Sequence, residues 1–229
     1  MYNTRLNTTV NGPAHLGHIY MALINQEVAE SSGGKFVVRF DDTNAAWITT
    51  IGRARMDIIM SEQTEDMKWL GISPDEWTRQ SSIIEEVRKW LDGKMRILPD
   101  DPLPYTPGIV GEDGLVMYPL TPALTAEKVV MDWMEGTNFL VRGLDLITEY
   151  SLYQYYCRVL GLPEPKHIYL PRMRWGKGDM SKSGGSQTVR DMRINGYTPA
   201  QVISKVEKAC LILPANGWEF SNIKAVPWL

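Results

Sequence analysis

The chain has 229 residues, 44% of them hydrophobic, with 24 Lys and Arg against 27 Asp and Glu, a formal charge of −3. That is enough chain for one buried core with a small appendage, and the charge excludes a protein whose whole surface is built to grip nucleic-acid phosphates. Cys157 and Cys210 give neither a disulfide framework nor a cysteine-rich zinc site. No apolar run nears the roughly 20 residues of a membrane helix, and the N-terminus has no signal-peptide pattern, so a reducing, cytoplasmic setting and no membrane partner are expected.

In chain order, Leu6 to Val10 can form a strand, Asn11-Gly12-Pro13 a tight loop, and Ile19 to Ala29 an apolar helix. His15-Leu16-Gly17-His18 lies at the loop-to-helix junction. Such a helix start offers backbone N–H groups and a positive dipole end to phosphates, Gly17 admits a nucleotide ring close to the backbone, and the two histidines can face the phosphates as donors. Read singly, each histidine is as well explained as an ordinary surface or core residue; the chain has only three, and two flank this glycine.

Phe36 to Phe40 reads as a buried strand. Met56, Ile59, Met60, Met67 and Leu70 follow helical spacing, as do Ile84, Val87, Leu91, Met95 and Leu98. A proline-rich stretch runs from Pro99 to Pro107. Phe139 to Val141 is a further strand, and Leu152, Tyr153, Tyr156, Val159 and Leu160 mark a helix. Tyr169-Leu170 ends another strand, and Thr198-Pro199-Ala200-Gln201 is a capping box with proline at the first helical position, followed by Val202, Ile203, Val206, Cys210 and Leu213 on one stripe. This alternation predicts an α/β fold: a Rossmann-like, mostly parallel sheet with helices on both faces and ligands at the carboxyl ends of the strands. The expected domains are a nucleotide-binding domain over 1–195, interrupted at about 99–118, and a short C-terminal helical extension over 196–229.

Met180-Ser181-Lys182-Ser183 sits among glycines, Gly176 and Gly178 before it and Gly184-Gly185 after it. A lysine there can close over β and γ phosphates and offset charge on a leaving pyrophosphate; a solvated loop is the plain alternative. From Lys166 to Arg193 seven basic residues, Lys166, Arg172, Arg174, Lys177, Lys182, Arg190 and Arg193, face only Asp179 and Asp191. That patch suits ATP, or ATP with a short piece of RNA, or is a solvated basic face.

Together the two motifs resemble the HIGH and KMSKS signatures of the class I aminoacyl-tRNA synthetases. The glutamyl and glutaminyl branch is the nearer resemblance, through Arg5, Gly12, the run Gly33-Gly34-Lys35-Phe36-Val37-Val38-Arg39-Phe40-Asp41-Asp42-Thr43-Asn44, Lys68-Trp69-Leu70-Gly71, Val141-Arg142-Gly143-Leu144-Asp145, and Leu160 to Pro171. These fall in family order over about 3 to 80 and 115 to 213.

The resemblance implies a ligase that activates glutamate with ATP, accompanied by Mg²⁺, to an aminoacyl adenylate, with transfer to tRNA or another acceptor. It assigns His15, His18 and Lys182 to catalysis, Gly17, Arg172, Met180, Ser181 and Ser183 to ATP, and Arg5, Thr9, Asp41, Tyr118 and Arg142 to the amino acid, with no protein-held metal. Arg142 favours glutamate over glutamine because a guanidinium pairs with the side-chain carboxylate; a structural ion pair with Asp132 or Asp145 is the alternative reading. The resemblance also implies that the anticodon-binding domain and most of the acceptor-end insertion are missing, so the usual tRNA contacts are not expected.

Departures from the family pattern are Asp179 where the second signature begins with lysine, with Lys177 nearby, Pro122 near a polar pocket position, and a longer stretch between Tyr118 and Asp132. A non-catalytic ATP-binding or regulatory paralogue, or glutamine activation, is therefore the alternative. The nucleotidylyltransferases, which share the first motif, rank last because their second motif is of an Ile-Ser-Ser-Thr type.

Overall fold

In the computed structural model, residues 1–95, 122–170, 174–175, 178–179 and 187–211 are described. The described chain divides into two compact units. The first holds Met1–Ser82, Thr137–Ile147 and the described residues from Pro165 onward; the second holds those of Ile83–Gly136 together with Thr148–Glu164.

The first unit is built on five parallel strands, β1 (Thr4–Thr9), β2 (Phe36–Asp41), β3 (Glu76–Arg79), β4 (Phe139–Gly143) and β5 (Lys166–Leu170), in the order β3-β2-β1-β4-β5. Winding reverses at β1, which has β2 on one side and β4 on the other, so the ligand-binding crevice of an open parallel sheet is expected there, at the carboxyl edge. β3 was not among the expected strands. Its four residues, Glu76-Trp77-Thr78-Arg79, lack an apolar run, and none is buried because the strand lies at the sheet edge.

Helix α1 (Leu16–Ser32) follows β1 and packs on it through Leu16, Ile19, Ile24 and Val28. It ends at Gly33, whose φ of 69° is the left-handed conformation that glycine adopts without a Cβ penalty. Gly34 is required for a different reason: a Cβ there would overlap the Tyr2 carbonyl oxygen at 1.9 Å, so only glycine lets the turn into β2 pass the start of β1. Short α2 (Ala45–Ile51) is capped by Asn44. Then α3 (Arg53–Trp69) buries Met56, Ile59, Met60 and Met67 against the same core as Leu6, Val38, Phe40 and Val141.

After β5 come a two-stranded pair, β6 (Arg174–Trp175) and β7 (Gly178–Asp179), then α7 (Val189–Ile194) and α8 (Pro199–Leu211). The Thr198 and Gln201 box forms as expected, with Thr198 N–H donating to Gln201 Oε1 at 2.8 Å, and Val202 and Val206 are buried.

The second unit contains most of α4 (Gln80–Met95), α5 (Pro122–Met134) and α6 (Tyr150–Leu160), the last entered through a 3-10 turn over Leu144–Glu149. Arg88 Nε donates to Glu127 at 2.8 Å and buried Tyr153 donates to Asp132 at 2.9 Å. Cys157 is buried, and burial pushes its thiol up to about 12, which keeps it an unreactive core residue. Among the described residues no helix is long and apolar enough to cross a membrane, and no group of three or more His, Cys, Asp or Glu side chains is placed to hold a metal.

Candidate active site

The first signature is a helix cap made of histidines. His15 is the N-cap of α1, with extended backbone angles; its Nδ1 accepts the Gly17 N–H at 3.1 Å, and His18 Nδ1 accepts the His15 N–H at 3.3 Å. This is the reciprocal capping box normally built from Ser or Thr and Glu. The rings stack 3.9 Å apart at 24°. Because each Nδ1 accepts a hydrogen bond, each neutral ring carries its proton on Nε2, so both histidines are set as Nε2–H donors at the positive end of α1. Gly17 makes this possible: a Cβ there would stand 2.9 Å from His15 Cε1.

The loop ahead of the cap is held from α3. Buried Gln63 accepts from the Thr8 hydroxyl at 2.9 Å and donates to the Gly12 carbonyl at 2.6 Å and the Thr9 carbonyl at 3.1 Å. One amide thus fixes the end of β1 and the turn into α1. Thr9, expected to touch the amino acid, points its hydroxyl to Asn11 Oδ1 at 3.1 Å.

Of the residues expected to handle ATP and the amino acid, Tyr118, Arg172, Met180, Ser181, Lys182 and Ser183 lie outside the described residues. The segment just beyond the second signature is described, and it returns to the first. Thr188 forms an antiparallel bridge with His15, and Val189 N–H donates to the Ala14 carbonyl at 2.9 Å. Thr188 also caps α7 by a reciprocal box with Asp191. Residues 188 and 189, which follow the second signature in sequence, therefore lie against the first.

The remaining expected residues share one face of the sheet. Parallel register pairs Arg5 with Val37, Asn7 with Arg39 and Thr9 with Asp41, and Phe139 with Thr4, so alternation places Arg5, Asn7, Thr9, Arg39, Asp41 and Arg142 together, opposite Leu6, Val38, Phe40 and Val141. Arg5, Arg39 and Arg142 are all buried, and Arg39 Nε donates to Asn7 Oδ1 at 3.2 Å. Three guanidiniums on one buried sheet face are costly unless anionic groups lie among them, and Asp41 stands at the carboxyl edge. Arg39 and Gln63 were not among the expected site residues. A charged residue inside the buried run Phe36 to Phe40, and a glutamine on the apolar stripe between Met60 and Met67, were the available signals.

The basic stretch is only partly available to a ligand. Arg190 lies 3.8 Å from Glu62 and Arg193 lies 3.9 Å from Asp66, while Lys166 donates to the Tyr2 hydroxyl at 2.6 Å.

Residues 2–95 match the family described as tRNA synthetases class I (E and Q), catalytic domain. Over an alignment of 273 positions covering 87% of the chain, it is 25% identical to glutamate–tRNA ligase 2 of Methylobacterium sp. (strain 4-46), and over 90 residues, 39% of the chain, 37% identical to the glutamate–tRNA ligase of Pyrococcus abyssi. The chain is thus similar to the glutamyl and glutaminyl branch of the class I synthetases, most clearly over residues 2–95.

It spans about three-fifths of the length of the synthetases it matches along most of its own, 58% in the Methylobacterium case. Among solved structures, glutamate–tRNA synthetase of Elizabethkingia anophelis aligns over 86% of the chain and 54% of its own, with TM-score 0.58 and 16% identity. Tyrosyl-tRNA synthetase of Aeropyrum pernix aligns over 80% and 57%, with TM-score 0.58 and 18% identity. Structures named for two different amino acids superpose on it equally well, so this likeness shows the fold alone.

Proposed function

We propose that this chain activates glutamate with ATP to glutamyl adenylate. The observation that carries the reading is the pairing of His15 with Thr188, which brings the chain just beyond the second signature to the helix start where a triphosphate is best received. The glutamate α-carboxylate attacks the α phosphorus of ATP; an acyl–phosphate anhydride forms, the bond to the bridging oxygen breaks, and pyrophosphate leaves. No side chain needs to form a covalent bond. His15 and His18 donate from Nε2 to the phosphates, and Lys182 offsets the charge that grows on the leaving pyrophosphate. Mg²⁺ would accompany ATP as part of the nucleotide substrate and would offset phosphate charge there.

On the buried sheet face, Asp41 receives the substrate ammonium, and Arg5 and Arg142 receive carboxylates through their forked N–H groups. Arg142 is the residue that selects glutamate, since both oxygens of a carboxylate suit its fork, whereas the amide of glutamine offers one acceptor and a donor that opposes it. The adenylate is passed to tRNA or to another acceptor.

Trapping with hydroxylamine tests the reading. Protein, ATP and glutamate should yield glutamyl hydroxamate. Lys182→Ala should lower the yield by about 100-fold or more, the size of one lost charge stabiliser, and Arg142→Gln should lower it with glutamate more than with glutamine. No hydroxamate from any amino acid, with or without total tRNA, leaves the non-catalytic ATP-binding reading in its place.

A further inference from the structure

Helix α3 faces both the loop of the first signature and α7. Gln63 holds the Gly12 turn of the first. One turn on, Asp66 faces Arg193 of α7 at 3.9 Å, Glu62 faces Arg190 at 3.8 Å, and the Arg193 guanidinium lies 5.7 Å from the centre of the Trp69 ring. Positions 63, 66 and 69 are three apart and 62 lies four before 66, so all four share one side of the helix. α7 is the helix whose capping residue, Thr188, bridges to His15.

Asp66 is unusual on this side of the helix. It is wholly buried, and neither carboxylate oxygen has a hydrogen-bond partner. Burial pushes its carboxyl up to about 6 against the opposing pull of Arg190 and Arg193, with Glu62 and Glu65 raising it further. A buried carboxylate in that state costs stability, as is common where a group is kept for function rather than for the fold.

We propose that Asp66 is a positioning residue of the adenylation site: with Glu62 it draws Arg193 and Arg190 of α7 onto α3, and so holds Thr188 and Val189 against the loop of His15. The assignment rests on the synthetase reading for its catalytic consequence, but not for the latch itself.

Hydrogen exchange at the Val189 amide reads the latch directly, because that amide donates to Ala14. Asp66→Asn keeps volume and removes charge. Val189 should exchange about three- to fivefold faster in this variant, the size of one partly exposed charge pair, while overall stability at pH 8 stays equal or rises. Arg193→Gln, on an accessible side chain, should give the same loosening, and Arg193→Lys should restore most of the protection. In pyrophosphate exchange both loosening variants should lower kcat and raise KM for ATP, with KM for glutamate unchanged.

Unchanged Val189 exchange in both loosening variants overturns the latch whatever the activity. Faster Val189 exchange with unaltered kcat and KM for ATP overturns the positioning role. No pyrophosphate exchange by the wild type, with Val189 loosened in both variants as stated, removes the synthetase reading and leaves the latch standing.

Discussion

His15 carries two separable jobs. As an N-cap acceptor it stabilises α1, and in the proposed reaction its Nε2–H serves phosphates. Asparagine keeps a cap acceptor but cannot reach as an imidazole does, whereas alanine removes both functions. His15→Asn should therefore retain wild-type thermal stability and lose most adenylation, and His15→Ala should lose about 1 kcal/mol of stability as well. Thermal unfolding and pyrophosphate exchange on the two variants separate the roles; equal stability loss in both would show that the cap does not depend on the side-chain acceptor. At this scale the sequence was legible where residue type was diagnostic. His15, Gly17 and His18 stand at a helix start as expected, but the histidine capping box was not readable, because histidine is not a habitual cap and its ring acceptor shows only in three dimensions. Arg39 was hidden for the opposite reason: it lay inside a recognised motif and carried no role of its own.

Among the elements, strands rich in Val, Phe and Leu were legible from their runs, so β2, β4 and β5 stand where expected, each reaching further than the apolar core of its run. β3 escaped because an edge strand need not be apolar. The helices announced themselves by their stripes, yet the polar residues on the α3 stripe were the informative ones. Gln63 fills a core slot between Met60 and Met67, and only the fold shows that its amide is used by three groups of the β1 end and the Gly12 turn. Gln63→Leu should destabilise the protein by about 3 kcal/mol, since the Gly12 and Thr9 carbonyls and the Thr8 hydroxyl would be left buried without this partner. A shift in denaturation midpoint at constant m-value measures it. A neutral substitution would mean that water or a shifted loop satisfies those groups.

For the molecule as a whole, Asp66 couples stability to pH. Its carboxyl is raised from 3.8 to about 6, so the folded state binds that proton more tightly than the unfolded chain. Its contribution is full below about pH 3.8 and is lost as pH rises to about 6, an amount on the order of 2–3 kcal/mol. Asp66→Asn should therefore flatten the stability profile between those values and be the more stable protein at pH 8, as difference curves of chemical denaturation would show. Parallel curves for the two proteins would place the proton elsewhere. The class of the fold was legible from motif order alone; the engagement of Arg190 and Arg193 by α3 was not, because a sequence lists charges without saying which of them face one another. Pyrophosphate exchange into ATP, run with each of the twenty amino acids and repeated with total tRNA, tests the central claim most directly. Exchange that depends on glutamate and is lost in Lys182→Ala is the predicted result; exchange with glutamine instead, or with no amino acid under either condition, would contradict it.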